Sequence, residues 1–327
     1  MATVNLCQND LSLESMRTSF QNDGFIVFHN VIDPTLVTTL QSRLDEVLRG
    51  QYNRNSPPDK APILQKKNTQ KNHVDNGSIV SPLARSDGDG SNYNSQVLQI
   101  INIHKCDHDF RQLATSPEIG RMVAELAGWK HGARLAQDQV WAKPPGAPSL
   151  VFHRDFPYFM FSPSDVITVW VALDNMDEEL GPLEYVRGSH KWGDGRVGSA
   201  SSFFHDANKR LLYSAARLEG IECPESTLDI VSMAGLKAGG ISIHNGKLWH
   251  GSGKNMSKDR PRRGMGLHFI PGEAKFTTKA RVSKLWRSHV PDDVKDEDIA
   301  LIELSEEDFP LVHSANDTHD MDGTLDT

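Results

Sequence analysis

Between Arg134 and Ile270 the chain is cut into eight short apolar or alternating runs, separated by turn-forming residues. They are Arg134 to Lys143, Leu150 to Asp155, Val166 to Leu173, Leu183 to Val186, Leu228 to Val231, Gly240 to His244, Leu248 to His250 and Gly264 to Ile270. Runs of this length and composition read as strands, and so many short strands predict a double-sheet jelly roll or a barrel. Ahead of this block the signals are mostly helical. Leu13, Met16 and Phe20 share one helix face that stops at Gly24, and Phe25 to Phe28 reads as a strand. Asp33-Pro34 is a cap followed by a first-turn proline, and helical spacing then runs from Leu36 to Leu48 and stops at Gly50. Val97 to Ile103 is strand-like, and Ser116-Pro117 opens another helix that reaches Leu126. The expected class is mainly β with flanking helices.

Three other segments stand apart. Residues 51–95 hold Pro57-Pro58, Lys66, Lys67, Lys71 and a Ser/Asp/Gly cluster with few apolar residues, so they read as a mobile insertion, either solvated or a flap. Residues 191–227 contain a helical piece, Phe203 to Leu218, which is either a packed outer helix or a lid. Residues 313–327 form an acidic tail expected to be disordered, leaving 1–312 as one expected domain.

Composition narrows the function classes. A net charge of −8 without basic blocks argues against nucleic acid as a partner. Cys7, Cys106 and Cys223 are odd in number and widely spaced, which suits a reducing compartment and provides neither a disulfide framework nor a thiolate metal site. The first residues lack the pattern of a signal peptide, no apolar run approaches a membrane span, and Thr324-Leu325-Asp326-Thr327 is no peroxisomal address. The expectation is a soluble cytoplasmic protein, monomer or homodimer, without a membrane partner. Its Asn255-Met256-Ser257 sequon is then expected to go unglycosylated.

The chemistry concentrates in two stretches. His153-Arg154-Asp155 places an imidazole and a carboxylate two residues apart, on one face if the segment is a strand. The triplet also mimics a kinase catalytic loop, but no Gly-rich loop or DFG accompanies it. A second histidine, His250, lies in Trp249-His250-Gly251-Ser252-Gly253. Two histidines and one carboxylate are the ligand set of non-haem Fe(II) oxygenases, and the same set suits Zn²⁺ in a hydrolase. Downstream lie Arg260, Arg262 and Arg263, either a charged turn or the source of a guanidinium for the far carboxylate of a small diacid. Ser252 is a candidate hydroxyl donor beside it.

These stretches together resemble the phytanoyl-CoA dioxygenase family. The resemblance rests on His153-x-Asp155-x-x-Tyr158-Phe159-x-Phe161-x-Pro163-Ser164-Asp165-x-Ile167-x-x-Trp170, on Gly181-x-Leu183, on Gly188-Ser189-His190 and on His250-Gly251-Ser252-Gly253. It covers roughly residues 97–271, with a weaker likeness at Asp23-Gly24-Phe25. It implies a double-stranded β-helix that uses Fe(II), 2-oxoglutarate and O₂. It further implies that His153, Asp155 and His250 are the iron ligands. Arg262 then matches the 2-oxoglutarate arginine, six residues before His268, with Arg263 as the alternative if the register slips. Ser252 and Trp170 match residues beside the cosubstrate, and Gln139 and Gln99 fall near positions that contact it in relatives. Arg187 stands where the family often has proline, and the insertion after His190 is long.

The expected activity is hydroxylation or another oxidation of a C–H bond in a small hydrophobic metabolite, in secondary metabolism. The alternatives are 2-hydroxylation of an acyl-CoA and a non-catalytic 2-oxoglutarate- or metal-binding module. Asp155 favours hydroxylation over halogenation, because a halogenase of this fold needs a small residue at that position. Phe156, Tyr158, Phe159 and Phe161 are candidate walls of an apolar pocket, about half of them core by strand alternation.

Overall fold

In the computed structural model, residues 4–6, 12–54, 56–62, 97–194 and 209–314 are described. Two antiparallel sheets face each other. The larger has seven strands, in the order β1 (Phe25–Phe28), β9 (Ile241–Asn245), β6 (Ile167–Ala172), β11 (Arg262–Pro271), β3 (Ala133–Lys143) and β13 (Leu311–His313), with β2 (Leu98–Ile101) also paired to β3. The smaller runs β4 (Leu150–His153), β10 (His250–Ser252), β7 (Leu183–Val186) and β8 (Ile230–Ser232). Two short strands, β5 (Phe161–Ser162) and β12 (Lys275–Phe276), pair beside them. This is the double-stranded β-helix, and the eight expected runs all contribute strands to it.

Alternation along the larger sheet divides its residues into two sets. Ile167, Val169, Val171, Ile241, Ile243, Met265, Leu267 and Phe269 form one apolar core with Leu40, Leu44, Phe110 and Val123. Those last four belong to helices α2 (Pro34–Leu48), α3 (His108–Ala114) and α4 (Pro117–Ala127), while α1 (Leu13–Asp23) adds Phe20. Each such buried side chain stabilises the fold by roughly 1.5–3 kcal/mol. The intervening residues, Thr168, Trp170, Ser242, His244, Gly264, Gly266 and His268, point between the sheets. Register lines them up in rungs: Gln137 pairs with His268, His268 with Thr168, and Thr168 with His244. The facing rung of the smaller sheet is His153, His250 and Tyr185.

Helices form where the caps predict them. Asp33 accepts from the Thr35 amide and Ser116 from the Ile119 amide. Helix α3, at seven residues, is too short for its spacing to mark it in the sequence; Asp107 caps it by accepting from the Asp109 and Phe110 amides. Gly24 ends α1 at φ 84°, and a Cβ there would meet His190 Nδ1 at 2.4 Å. The motifs Asp23-Gly24-Phe25 and Gly188-Ser189-His190 therefore meet in one structural joint, in which the Gly188 amide donates to Asp23 O.

Of the two insertions, residues 63–96 and 195–208 lie outside the described part, as do Phe203 and Phe204 and the tail from 315. Helix α5 (Arg210–Leu218) packs Leu212 against Phe152, Val186 and Trp249, on the outer face of the smaller sheet. No helix among the described residues is long and apolar enough to cross a membrane.

Gly264 shows how tightly the interior is filled, since a Cβ there would meet the Trp170 ring at 2.3 Å. Gly264→Ala is expected to lower stability by about 1–3 kcal/mol through displacement of that indole. Urea denaturation of the two proteins measures it.

Candidate metal centre and cosubstrate pocket

His153 is the last residue of β4, and Asp155 follows in a turn. The strand expected to reach Asp155 ends two residues early: Asp155 has helical φ −79° and ψ −43°, and its amide donates to Gly246 O. The two side chains still converge, but through the turn and not through strand alternation. His250 arrives from β10, directly opposite His153 in register. One ligand atom each from His153, Asp155 and His250 lie within 4.8 Å of one another.

The backbone sets the imidazole tautomers. His153 Nδ1 lies 2.9 Å from Val151 O, and His250 Nδ1 lies 2.9 Å from Leu248 O. A carbonyl accepts only, so both Nδ1 atoms carry hydrogen and both Nε2 lone pairs are left for an ion. Each Nε2 is 3.6 Å from Asp155 Oδ1. The other carboxylate oxygen is engaged elsewhere. Asp155 Oδ2 accepts from Thr168 Oγ1 at 2.7 Å and lies 3.2 Å from His244 Nε2. Thr168 Oγ1 is in turn 2.9 Å from His268 Nδ1, and Tyr185 OH is 3.2 Å from His244 Nδ1.

The protonation states suit a cation. Burial opposes charge on Asp155, yet His250, His153, His244 and His268 hold its carboxyl well below the usual carboxylate range. Burial, with His153 beside it, pushes the His250 imidazole well below its usual value, so it is neutral near pH 7. An ionised carboxylate and neutral imidazoles are what a divalent ion requires.

A cavity of about 450 Å³ opens above these three residues. Its far end is polar. Arg262, at the start of β11, is fully buried; Nη2 donates to Ser252 Oγ at 3.1 Å, and Nε has no hydrogen-bond partner. The guanidinium carbon lies 5.8 Å from the Trp170 ring centre, and burial lowers its pKa to about 10. A buried guanidinium with an orphaned donor fits a carboxylate arriving in the cavity. Arg263 does not offer the alternative: Nε and Nη2 both bind Asp174, at 2.9 and 2.6 Å, on the opposite side of the strand. Arg260 is likewise spent on Asp177 and Glu179 at the surface.

Gln99 and Gln139 line the cavity, but their amides bind each other at 2.9 Å, and Gln99 also accepts from Lys60. Of the four aromatic candidates, Tyr158 and Phe159 line the cavity. Phe161 packs instead against Phe276, Trp286 and Phe309, and Phe156 lies under Arg154 and Lys247. Asn255 of the sequon is fully buried and donates to Lys143 O, Pro144 O and Arg260 O, so it is a brace for the turn before β11.

Sequence reasoning gives no role at the site to Thr168, His244 and Lys143, and uses His268 only to place Arg262. A signal existed for Thr168 and His268, each a polar residue between apolar neighbours in a buried strand, and a weaker one for His244, which continues the alternation Ile241-Ser242-Ile243. Lys143 carried none, because a lysine ending a strand normally reaches solvent.

Two packed sheets closed around a His, Asp, His cluster and an arginine-ended cavity define an iron- and 2-oxoglutarate-dependent dioxygenase of the double-stranded β-helix fold. The chain belongs to the phytanoyl-CoA dioxygenase family, whose model matches residues 20–264. It is 22% identical over 286 residues to dioxygenase cdmA of Talaromyces verruculosus, covering 84% of this chain and 79% of that one. It is 29% identical over 256 residues to dioxygenase aneA of Aspergillus aculeatus, covering 76% and 68%. Among solved structures, the epimerase SnoN in complex with Fe³⁺, α-ketoglutarate and nogalamycin RO superposes with a TM-score of 0.61 at 21% identity, covering 92% of this chain and 98% of that one.

Thr168 donates to the carboxylate oxygen that faces away from the two histidines. Thr168→Val keeps the shape and removes the hydrogen bond. Its affinity for Fe(II) is expected to fall roughly 10- to 100-fold in a protein that still folds, as for other partners of metal ligands. An anaerobic metal titration measures this; unchanged affinity would show that the hydroxyl does not steer Asp155.

Proposed function

We propose that the protein oxidises a C–H bond of a small, largely apolar molecule, with His153 Nε2, His250 Nε2 and Asp155 Oδ1 as the iron ligands. The observation that carries the assignment is the split carboxylate of Asp155. One oxygen is held by Thr168 and His244, and the other faces both imidazoles. Arg262 and Ser252 take the far carboxylate of 2-oxoglutarate, with Trp170 as the wall beside it. When bound, Fe(II) and 2-oxoglutarate supply O₂ activation coupled to decarboxylation, which yields succinate, CO₂ and an oxidised substrate.

The chain supplies position and exclusion of water. His153 and His250 enter from the smaller sheet, while Thr168 and His244 hold Asp155 from the larger one. His153, Asp155 and His250 would hold the ion with one ligand atom each and leave its remaining side to the cosubstrate and oxidant. Because Asp155 provides a carboxylate where a halogenase needs space, hydroxylation is favoured over halogenation. Phe159, Met160, Ile101 and Leu285 form an apolar wall, and Tyr158, whose pKa burial raises to about 12, stays a neutral phenol among them. The amides of Gln99, Gln137 and Gln139 line the same cavity, with Ile101 paired to Gln139 across β2 and β3. Amides set among apolar side chains suit a mostly apolar substrate carrying hydroxyl or carbonyl groups. Natural-product chemistry is supported by the nogalamycin compound named with SnoN, which shares this fold.

The test is succinate formation from 2-oxoglutarate with Fe(II) and O₂. The native protein is expected to turn over slowly without its own substrate. His250→Ala and Arg262→Ala are expected to lose at least about 100-fold of that rate, given what isolated removal of a ligand or an ion-pair partner costs. Candidate substrates are then ranked by the stimulation they give, and a stronger response to acyl-CoAs than to free terpenoid or aromatic molecules would overturn the substrate assignment. Full activity in folded His250→Ala would overturn the ligand assignment.

A further inference from the structure

Lys143 ends β3 in register with Arg262, the two being paired across adjacent strands. Its side chain does not reach solvent: the residue is fully buried. Nζ donates to Gly253 O and, at 3.2 Å, to Ser252 Oγ. Arg262 Nη2 reaches the same Ser252 oxygen at 3.1 Å. Two basic side chains thus meet on one hydroxyl, inside the fold.

Neither has a counterion of its own among the described residues. The charged groups that act on Lys143 are Arg262 from β11 and Glu184 from β7, and Glu184 already pairs with Lys209 at 3.1 Å. The carboxylate that acts on Arg262 is Asp174, which Arg263 holds through two hydrogen bonds. Burying a charge without a partner is among the costliest things a fold can do, so two buried basic groups without a counterion mark a place where an arriving anion would be compensated.

We propose that Lys143 is the second cation of the cosubstrate pocket, a positioning residue that acts with Arg262, through the Ser252 hydroxyl, on the far carboxylate of 2-oxoglutarate. This rests on the dioxygenase reading above and adds to it a residue and a selectivity. Arg262 presents its unpartnered Nε and its Nη2 to the carboxylate. Lys143 sits behind Ser252, orients that hydroxyl by occupying its lone pair, and turns its O–H toward the incoming oxygen. The pocket then favours a keto diacid over a keto monoacid of the same length by the sum of both cations. Burial, with Arg262 nearby, lowers the Lys143 pKa to about 6, so near neutral pH the empty pocket holds one cation. Arrival of a carboxylate raises that pKa, and the lysine takes up a proton as the cosubstrate binds.

The test compares two ligands on Fe(II)-loaded protein by anaerobic calorimetry. One is 2-oxoglutarate. The other is 2-oxopentanoate, which has the same keto-acid head and chain length but no far carboxylate. In Lys143→Met, 2-oxoglutarate affinity is expected to fall roughly 10- to 100-fold, the usual worth of a hydrogen bond to a charged group, with 2-oxopentanoate affinity unchanged. Lys143→Gln keeps donors to Gly253 and Ser252 but not the charge; it carries the same expectation should Lys143→Met fail to fold. In the native protein near neutral pH, the heat of 2-oxoglutarate binding is expected to vary with buffer ionisation enthalpy in the sense of proton uptake. Both variants are expected to lose that dependence. Equal losses for the two acids would make Lys143 a structural brace between β3 and β10 and overturn the proposal, as would binding without proton uptake in the native protein. A native protein that binds neither acid would instead bring down the dioxygenase reading on which the proposal stands.

Discussion

Everything at this site hangs on one carboxylate shared between two sheets. Asp155 belongs to the turn after β4, yet Thr168 of β6 and His244 of β9 hold one of its oxygens, while His153 and His250 of the smaller sheet face the other. Removing a carboxylate from water costs several kcal/mol, and that cost is met only where donors surround it. Here the side-chain donors, Thr168 Oγ1 and His244 Nε2, both come from the larger sheet, while the Nε2 atoms of the smaller sheet's two histidines face the second oxygen. The imidazoles are fixed by backbone carbonyls two residues earlier, which ties ligand orientation to strand geometry without further side chains.

A second imbalance lies at the other end of the cavity. Arg262 and Lys143 converge on Ser252 while the nearby carboxylates are committed to Arg263 and Lys209. The proposed keto diacid would span from this basic end to the His153, Asp155 and His250 cluster. The rest of the cavity sets the amides of Gln99, Gln137 and Gln139 among apolar side chains such as Ile101, Phe159 and Leu285.

Much of this fold is legible in the amino-acid sequence. Caps at Asp33 and Ser116 and the helical spacing of Leu36 to Leu48 place α2 and α4, because those signals are local. The strand block and the motifs around His153 and His250 point to the fold and to a candidate ligand set. Strand alternation is nevertheless the wrong reason for the approach of His153 and Asp155, since the strand ends at His153 and a turn brings the carboxylate in. Thr168, His244 and His268 are not legible in the same way, because each looks like an ordinary polar residue in a strand until register sets them in one row.

The sequence by itself determined the class of fold, the family and the residue types able to bind a metal and a keto diacid, because alternation, caps and motif spacing are properties of short segments. Only the tertiary structure puts Arg262 at the cavity and Arg263 on Asp174, since adjacent strand residues point to opposite faces and the face is set by what the sheet packs against. Only it decided that Phe161 is core while Phe159 lines the cavity, and that Lys143 is buried beside Arg262. Those outcomes depend on residues far apart in the chain meeting across a sheet, and no local pattern carries that information.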